Sequence, residues 1–241
     1  MEPRDNKILR HIGLYRITLR PVLERLYFAG RSSGNVLQRL RDDGYIAGAK
    51  LPGRVSYYRL SCKGVQHLQL PLSRATAFGA QALQTHLGIL WFCCMGETRR
   101  FRTEGESLSK LFPGNAPKGE HCVEQGDRQR LYQVYVPGPD TPVRRIVREL
   151  RKRFHEARLD ASVERWMDGR LYAFATLVDT DKRRKALRAA LKSAPEGDQP
   201  LISHAYFRVE VVPGIRTIKD AFGNGPVKIG KSVAEGDPEK T

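Results

Sequence analysis

Between residues 8 and 60 the chain carries three short runs with helical apolar spacing, each closed by a glycine. Two strand-like runs joined through Pro52-Gly53 follow. Ile8, Leu9 and Ile12 form the first run, ended by Gly13. Leu19, Val22, Leu23 and Leu26 form the second, within Ile17 to Phe28. Thr18 is the expected N-cap there, which places Pro21 in the first turn, where a missing N–H costs little. Gly30 ends it. The third run is "NVLQRLRDDGYI", residues 35 to 46. Ser32 or Ser33 is expected to cap it, Leu37 and Leu40 form its apolar seam, and Gly44 supplies a left-handed stop. Tyr45, Ile46 and Leu51 are expected to face inward on a strand, and "VSYYRL" returns beside it. "SCKGVQHL" reads as a short closing helix capped by Ser61.

Helix, helix, helix and β-hairpin, in that order, resemble a winged helix-turn-helix. "RLRDDGYI" is similar to the end of a recognition helix and the entry to the wing in that superfamily. The resemblance implies that the third helix lies in the major groove of double-stranded DNA, which is wide enough for a helix and displays a distinct pattern for each base pair. Ser33, Asn35, Gln38 and Arg39 are then the candidates to reach base edges. Arg31, Arg41, Lys50 and Arg54 are placed for phosphates, the last two bracketing the wing turn, and Ser32 completes the set at the helix entry. Any one of these side chains reads equally well as a solvated surface position. The set, with acids sparse until Asp42, points to a groove.

The charge agrees with that reading. The 241 residues carry a formal net charge of +16, which favours polyanionic partners. Residues 1–70 hold 13 basic and 5 acidic groups, half of the excess. At 40 % hydrophobic residues the chain can bury a core. Its most apolar run, "LGILWFCCM", is far shorter than the ~20 residues of a spanning helix. "MEPRDNKILRHIG" lacks an apolar signal core, so a cytoplasmic protein without a membrane partner is expected. Cys62, Cys93, Cys94 and Cys122 form no C-x-x-C pair and are expected as reduced thiols, with Cys93 and Cys94 in or beside a buried strand. No metal site is expected; His121 with Cys122 is the weak alternative.

After a linker and connecting helix over 71–86, residues 87–212 read as an α/β domain. "HCVEQ" and "RLYQVYVPG" are expected to pair as strands. Residues 142–157 form a basic amphipathic helix. "SVERWM" and "RLYAFATLV" pair across Asp168-Gly169, a second basic helix spans 182–193, and "HAYFRVEVV" is a last strand. The order from residue 121 is thus ββαββαβ, with a loose two-fold echo, and the fold class is α+β. Residues 213–241 lose periodicity and are expected as a partly mobile tail.

The winged-helix order followed by the "THLGI" step and an α/β region is similar to the plasmid replication-relaxation family, which includes mobilisation accessory proteins. The resemblance covers roughly residues 5–155. It implies a restriction-nuclease-like second domain. Where that family commonly has acids on the strand matching "RLYQVYVPGPDTP", this chain has Tyr135 and Pro137. A nuclease of that class needs carboxylates converging on Mg²⁺. Glu124, Asp127 and Asp140 are the nearby candidates, and turn chemistry explains the aspartates better. "GNGPVKIGKS" (223–232) places Gly225 and Gly230-Lys231-Ser232 at the spacing of a phosphate-binding loop, but no helix pattern follows it, so it reads as tail, and the six histidines are scattered. No catalytic residue and no cofactor are expected.

The expectation is therefore a sequence-specific double-stranded DNA-binding protein of a bacterial plasmid or mobile element. It would be accessory to replication or mobilisation, or regulate genes. It is expected to act as a homodimer, with a possible protein partner on the second domain. A winged-helix repressor unrelated to mobilisation and a divergent metal-dependent nuclease are the alternatives. An RNA-binding protein is weaker, for want of an aromatic stacking motif.

Overall fold

The computed structural model describes residues 1–112, 116–126, 129–193, 203 and 205–223. The architecture is mixed α+β, with a three-stranded and a five-stranded sheet.

The chain opens with α1 (Pro3–Tyr15), which runs through Gly13 and ends at Arg16 with φ 72°. Gly13 is therefore not the helix stop; it gives room, since a Cβ there would meet the Leu70 side chain at 3.0 Å. The two-residue strand β1 (Thr18–Leu19) precedes α2 (Arg20–Tyr27). Thr18 is therefore a strand residue rather than a cap. It is buried, and its hydroxyl is hydrogen-bonded to His11 Nε2 at 3.0 Å. Pro21 does lie in the first turn of α2.

Helix α3 (Gly34–Asp42) ends in a Schellman motif. The Gly44 N–H donates to Arg41 O and the Tyr45 N–H to Leu40 O, with Gly44 at φ +76°. The strands β2 (Ile46–Lys50) and β3 (Ser56–Leu60) form an antiparallel hairpin around a turn at Pro52–Arg54. β1 pairs with the other edge of β3, giving the order β1-β3-β2. Helix α4 (Cys62–His67) is capped by Ser61, whose hydroxyl accepts from the Gly64 N–H at 3.1 Å. Ile8, Leu9, Ile12, Leu23, Leu37, Leu40, Ile46, Leu60 and Val65 make this unit's own core.

"LGILWFCC" is not a strand. It completes α5 (Ala80–Cys94), a helix buried over most of its circumference. Apolar residues on every side erase the 3.6-residue period, so such a helix cannot be told from a buried strand by pattern alone. Cys93 and Cys94 are consequently buried in a helix.

Next come β4 (Arg100–Thr103), α6 (Glu106–Leu111), β5 (Glu120–Glu124) and β6 (Arg130–Tyr135). The pairs β4–β5 and β5–β6 are antiparallel. Helix α7 (Val143–Arg158) is followed by α8 (Ala161–Asp168), where a strand was expected. Asp160 Oδ1 accepts from the Ser162 and Val163 N–H groups and starts this helix, while Val163 and Met167, one turn apart, are buried. Asp168-Gly169 is thus a helix end and not a hairpin turn. β7 (Tyr172–Val178), buried at all seven positions, runs parallel to β6. Helix α9 (Asp181–Lys192), capped by Thr180, leads to β8 (Tyr206–Val211), parallel to β7. The order from β5 is ββααβαβ, which removes the two-fold echo. The sheet runs β4-β5-β6-β7-β8.

The two sheet faces have different neighbours. Val123, Leu131, Phe174 and Val209 pack under α7, α8 and α9. Cys122, Tyr132, Val134, Ala173 and Leu177 pack against α5. That second core continues without a break into Tyr15, Ile17, Leu19, Leu51 and Tyr57. The N-terminal unit and the large sheet therefore share α5 as a common wall. Residues 213–223, expected as tail, contain α10 (Ile218–Gly223) and bury Ile218 in the same core. The Gly-Lys-Ser stretch lies outside the described residues.

Candidate nucleic-acid interface

Leu37 and Leu40 are buried and fix α3 on the N-terminal unit. The opposite side of the helix presents Asn35, Gln38, Arg39 and Asp42, all exposed. That is the arrangement a helix needs to present polar side chains to a groove. The partners of each side chain decide which of them are free to do so.

Ser33 is not a surface residue. Its side chain is buried, and both its N–H and its hydroxyl donate to Glu24 Oε1, at 3.0 and 3.4 Å. Arg20 Nε donates to the same carboxylate oxygen at 2.7 Å. These donors hold the Glu24 carboxyl below its usual range, against the burial that would raise it. Ser33 thus ties α3 to α2 and does not reach a base edge. Ser32 is exposed; its hydroxyl accepts from Arg20 at 2.7 Å and from the Gly34 N–H at 3.3 Å, so Ser32 supplies the cap that Ser33 does not.

Arg39 is clamped. Its guanidinium donates to Asp5 Oδ2 at 2.7 Å and to Glu2 Oε1 at 3.1 Å, both on or just before α1. The Arg39 hydrogen bond and charge hold the Glu2 carboxyl below its usual range. Gln38 donates to both Asp42 carboxylate oxygens at 2.8 Å and accepts from Arg41. Asn35 is exposed and has no such neighbour among the hydrogen bonds of the described residues. Two of the candidate readers are therefore held by acids that lie close in space, one pair of them far away in sequence.

At the hairpin, Lys50 and Arg54 are exposed, with Lys50 Nζ bonded to Ser56 Oγ across the strands at 2.8 Å. Gly53 and Arg54 both adopt positive φ, +79° and 64°. The turn is not free on every side. A Cβ built on Gly53 would lie 3.6 Å from the Lys219 side chain of α10. Lys219 is exposed and adds a cation beside the turn. No local pattern in the sequence could have placed it there, since the two residues meet only through the shared core. Arg31, exposed, donates weakly to Phe28 O at 3.5 Å.

The seam between the units is built from arginines on backbone oxygens. Arg25 donates to Met95 O and Gly96 O, and Arg102 to Leu14 O. Tyr15 donates to Arg100 O at 3.2 Å. Arg100, buried, bonds Glu124 at 2.7 Å and Glu210 at 3.2 Å and stacks on Phe92. Glu124 is also 3.7 Å from Arg208. Of the carboxylates weighed as metal ligands, Glu124 is thus engaged by two arginines, Asp140 sits exposed in a loop, and Asp127 lies outside the described residues.

Adjacent strand residues His121 and Cys122 point to opposite faces. His121 Nε2 is hydrogen-bonded to Tyr172 at 3.0 Å, and Cys122 Sγ lies 3.4 Å from Cys93 Sγ. They cannot share a metal ion. Burial pushes the His121 imidazole down to about 4. Among the described residues no three His, Cys, Asp or Glu side chains gather as a metal site, and no helix is long and apolar enough to cross a membrane.

Comparison of the chain with models of protein families, with curated proteins and with solved structures finds no match.

Proposed function

We propose that the chain is a sequence-specific double-stranded DNA-binding protein whose first 70 residues act as a winged helix-turn-helix. The observation that carries this reading is the arrangement of α1, β1, α2, α3, β2 and β3 around a sheet of order β1-β3-β2, with α3 anchored by Leu37 and Leu40 and its polar side outward. A helix so presented fits the major groove. Asn35 and Gln38 suit adenine. Arg39 suits guanine once it leaves Glu2 and Asp5. Arg31, Arg41, Lys50, Arg54 and Lys219 would contact phosphates.

The larger sheet unit serves as the scaffold behind the reader, in the manner of a nuclease-like fold that lacks the acids. The engagement of Glu124 by Arg100 and Arg208 supports a binding rather than a cleaving role. The protein would act in the cytoplasm on plasmid or mobile-element DNA, at a replication or transfer origin, or at a promoter as a repressor. It would bind as a homodimer, because one helix and one wing read only a short half-site; two-fold pairing places half-site centres about one helical turn, ~34 Å, apart. Because α5 offers solvent little beyond its first turn, it is the poorer candidate for the dimer contact. The sheet unit would supply it.

The test is selection of bound duplexes from a random pool with the full-length protein, followed by footprinting. A single enriched motif, lost in Asn35→Ala and Gln38→Ala, is expected. Light scattering of the complex should give two chains per pseudo-palindrome. Absence of any enriched motif would refute sequence-specific binding.

A further inference from the structure

The strongest concentration of positive charge is not on the N-terminal unit. Val143–Arg158 holds seven Lys and Arg against two Glu, and Asp181–Lys192 holds six against one Asp. These are α7 and α9, which lie side by side on one face of the large sheet. The remainder of the sheet unit is acidic enough to hide this excess when charge is summed along the chain.

The acids of these helices are already engaged. Glu149 pairs with Arg153 at 2.9 Å, Glu156 with Lys152 at 3.8 Å, and Asp181 with Arg184 and with Lys185, the latter at 3.1 Å. Arg183 is bound inward, to Asp179 and to the carbonyls of Gly138 and Thr141. Arg144, Arg145, Arg148, Lys182 and Lys192 are exposed and make no ion pair among the described residues. Arg145, Arg148 and Lys152 lie at i, i+3 and i+7, so they form one ridge about 10 Å long on the side of α7 opposite its buried Ile146, Leu150 and Phe154.

We propose that the outer surface of α7 and α9 is a second, sequence-independent binding surface for nucleic-acid backbone. Charge complementarity selects the partner: arginines in a row, projecting from a rigid helix, match a regular array of phosphates. A lipid surface is the poorer match, because the apolar residues of α7 are all turned into the sheet and leave little to insert among lipid chains. The surface lies across the sheet from α5 and the N-terminal unit. It therefore engages a different stretch of backbone from the one under α3: a second segment, or the same duplex bent around the protein. It requires nothing of the α3 reading.

The experiment uses the full-length protein and a duplex of arbitrary sequence of about 30 base pairs, followed by fluorescence anisotropy over a range of salt. The triple variant Arg144→Gln, Arg145→Gln, Arg148→Gln should bind about tenfold more weakly at low salt. Its slope of log affinity against log salt should shrink by about 2 to 3, near 0.9 for each phosphate that is no longer neutralised. The matching Arg→Lys triple variant, which keeps the charge, should recover most of both. The motif selected from a random pool by the Gln triple variant should remain that of the wild type, so failure of the α3 reading and failure of this one are told apart. Unchanged affinity and slope in the Gln variant, with a native circular dichroism spectrum, would overturn the proposal. So would failure of the Lys variant to recover, or binding of the wild type to phosphatidylglycerol vesicles but not to the duplex.

Discussion

The two basic regions of this molecule differ in how their charge is held. On α3 the cations are answered at once: Arg39 by Glu2 and Asp5, and Arg41 by Gln38, which is itself bound to Asp42. On α7 the carboxylates cluster on one flank, around Arg153 and Lys152, and leave Arg144, Arg145 and Arg148 facing water. Charge summed by segment ranks the regions one way, and pairing in space ranks them the other. A paired arginine is released only if the new partner is better than the old, which favours selectivity. An unpaired one binds any polyanion, which favours non-specific affinity.

Acid breaks both regions, and with the largest expected effect. Burial, with the Arg99 charge adding to it, pushes His11 down to about 3; burial, with Arg102 next, does the same to His86. His121 sits at about 4 for the same first reason. A histidine whose folded value lies below its unfolded value near 6.5 binds more protons when unfolded, so stability is full above about pH 6.5 and falls as pH drops toward 3–4. By about pH 4.5 each should cost roughly 2–3 kcal/mol. The melting temperature should fall steeply across that window. His11→Gln should flatten the curve from the N-terminal unit and His121→Gln from the sheet unit. If one variant flattened it completely, the other histidines would not be buried as described.

Gly64→Ala separates the regions. A Cβ at Gly64 would lie 2.1 Å from the Tyr45 carbonyl oxygen, a backbone atom that cannot step aside. The Schellman end of α3 and the start of the hairpin meet at that carbonyl, which also accepts from the Ser61 N–H. Overpacking of this kind should cost about 3 kcal/mol or more. Chemical denaturation should show a lower midpoint. Site-specific binding should suffer more than binding to arbitrary duplex if the two surfaces are separate as argued.

Most of the N-terminal unit is legible from local chemistry. The seams Leu37/Leu40 and Ile8/Leu9/Ile12, the stop at Gly44 and the Ser61 cap all act within a few residues. The sheet unit defeated local reading twice. "LGILWFCC" has apolar residues on all sides, so its period is invisible. "SVERWM" is short, but its apolar residues Val163, Trp166 and Met167 stand at i, i+3 and i+4, a helical spacing, and the Asp160 cap lies just before it. The candidate site was legible in residue type but not in which side chains stand free. Nothing near Arg39 in the sequence announces that Glu2 and Asp5, over thirty residues away, will close on it, and nothing near Pro52-Gly53 announces Lys219.

The clamp on Arg39 can be opened by charge. Glu2→Gln keeps the shape of the side chain and removes one of the two carboxylate charges, whereas Asp5 is buried and its loss would also disturb α1. If Arg39 reads guanine, Glu2→Gln should tighten cognate binding, and Arg39→Ala should weaken it and relax specificity at one base pair. If Arg39 only staples α1 to α3, Arg39→Ala should lower the melting temperature and leave the recognised motif unchanged, since it abandons the nearly buried Asp5 carboxylate. The selected motif of each variant decides between them.

The smallest effect concerns the hairpin turn. Arg54 is exposed in the turn, and Lys219 of α10 borders it through Gly53. A cation over a phosphate carries no sequence information, so Arg54→Ala should weaken every duplex about equally, by well under the cost of removing a base-reading side chain, and reduce the salt slope by about 1. Lys219→Ala should do the same if α10 extends the phosphate-facing surface. The two cations act independently if their effects add in the double variant, and the same phosphate is shared if they do not. A normal salt slope in Lys219→Ala beside a reduced one in Arg54→Ala would limit α10 to holding the turn in place. The hairpin alone would then face the backbone, and the sheet unit would touch nucleic acid only through α7 and α9.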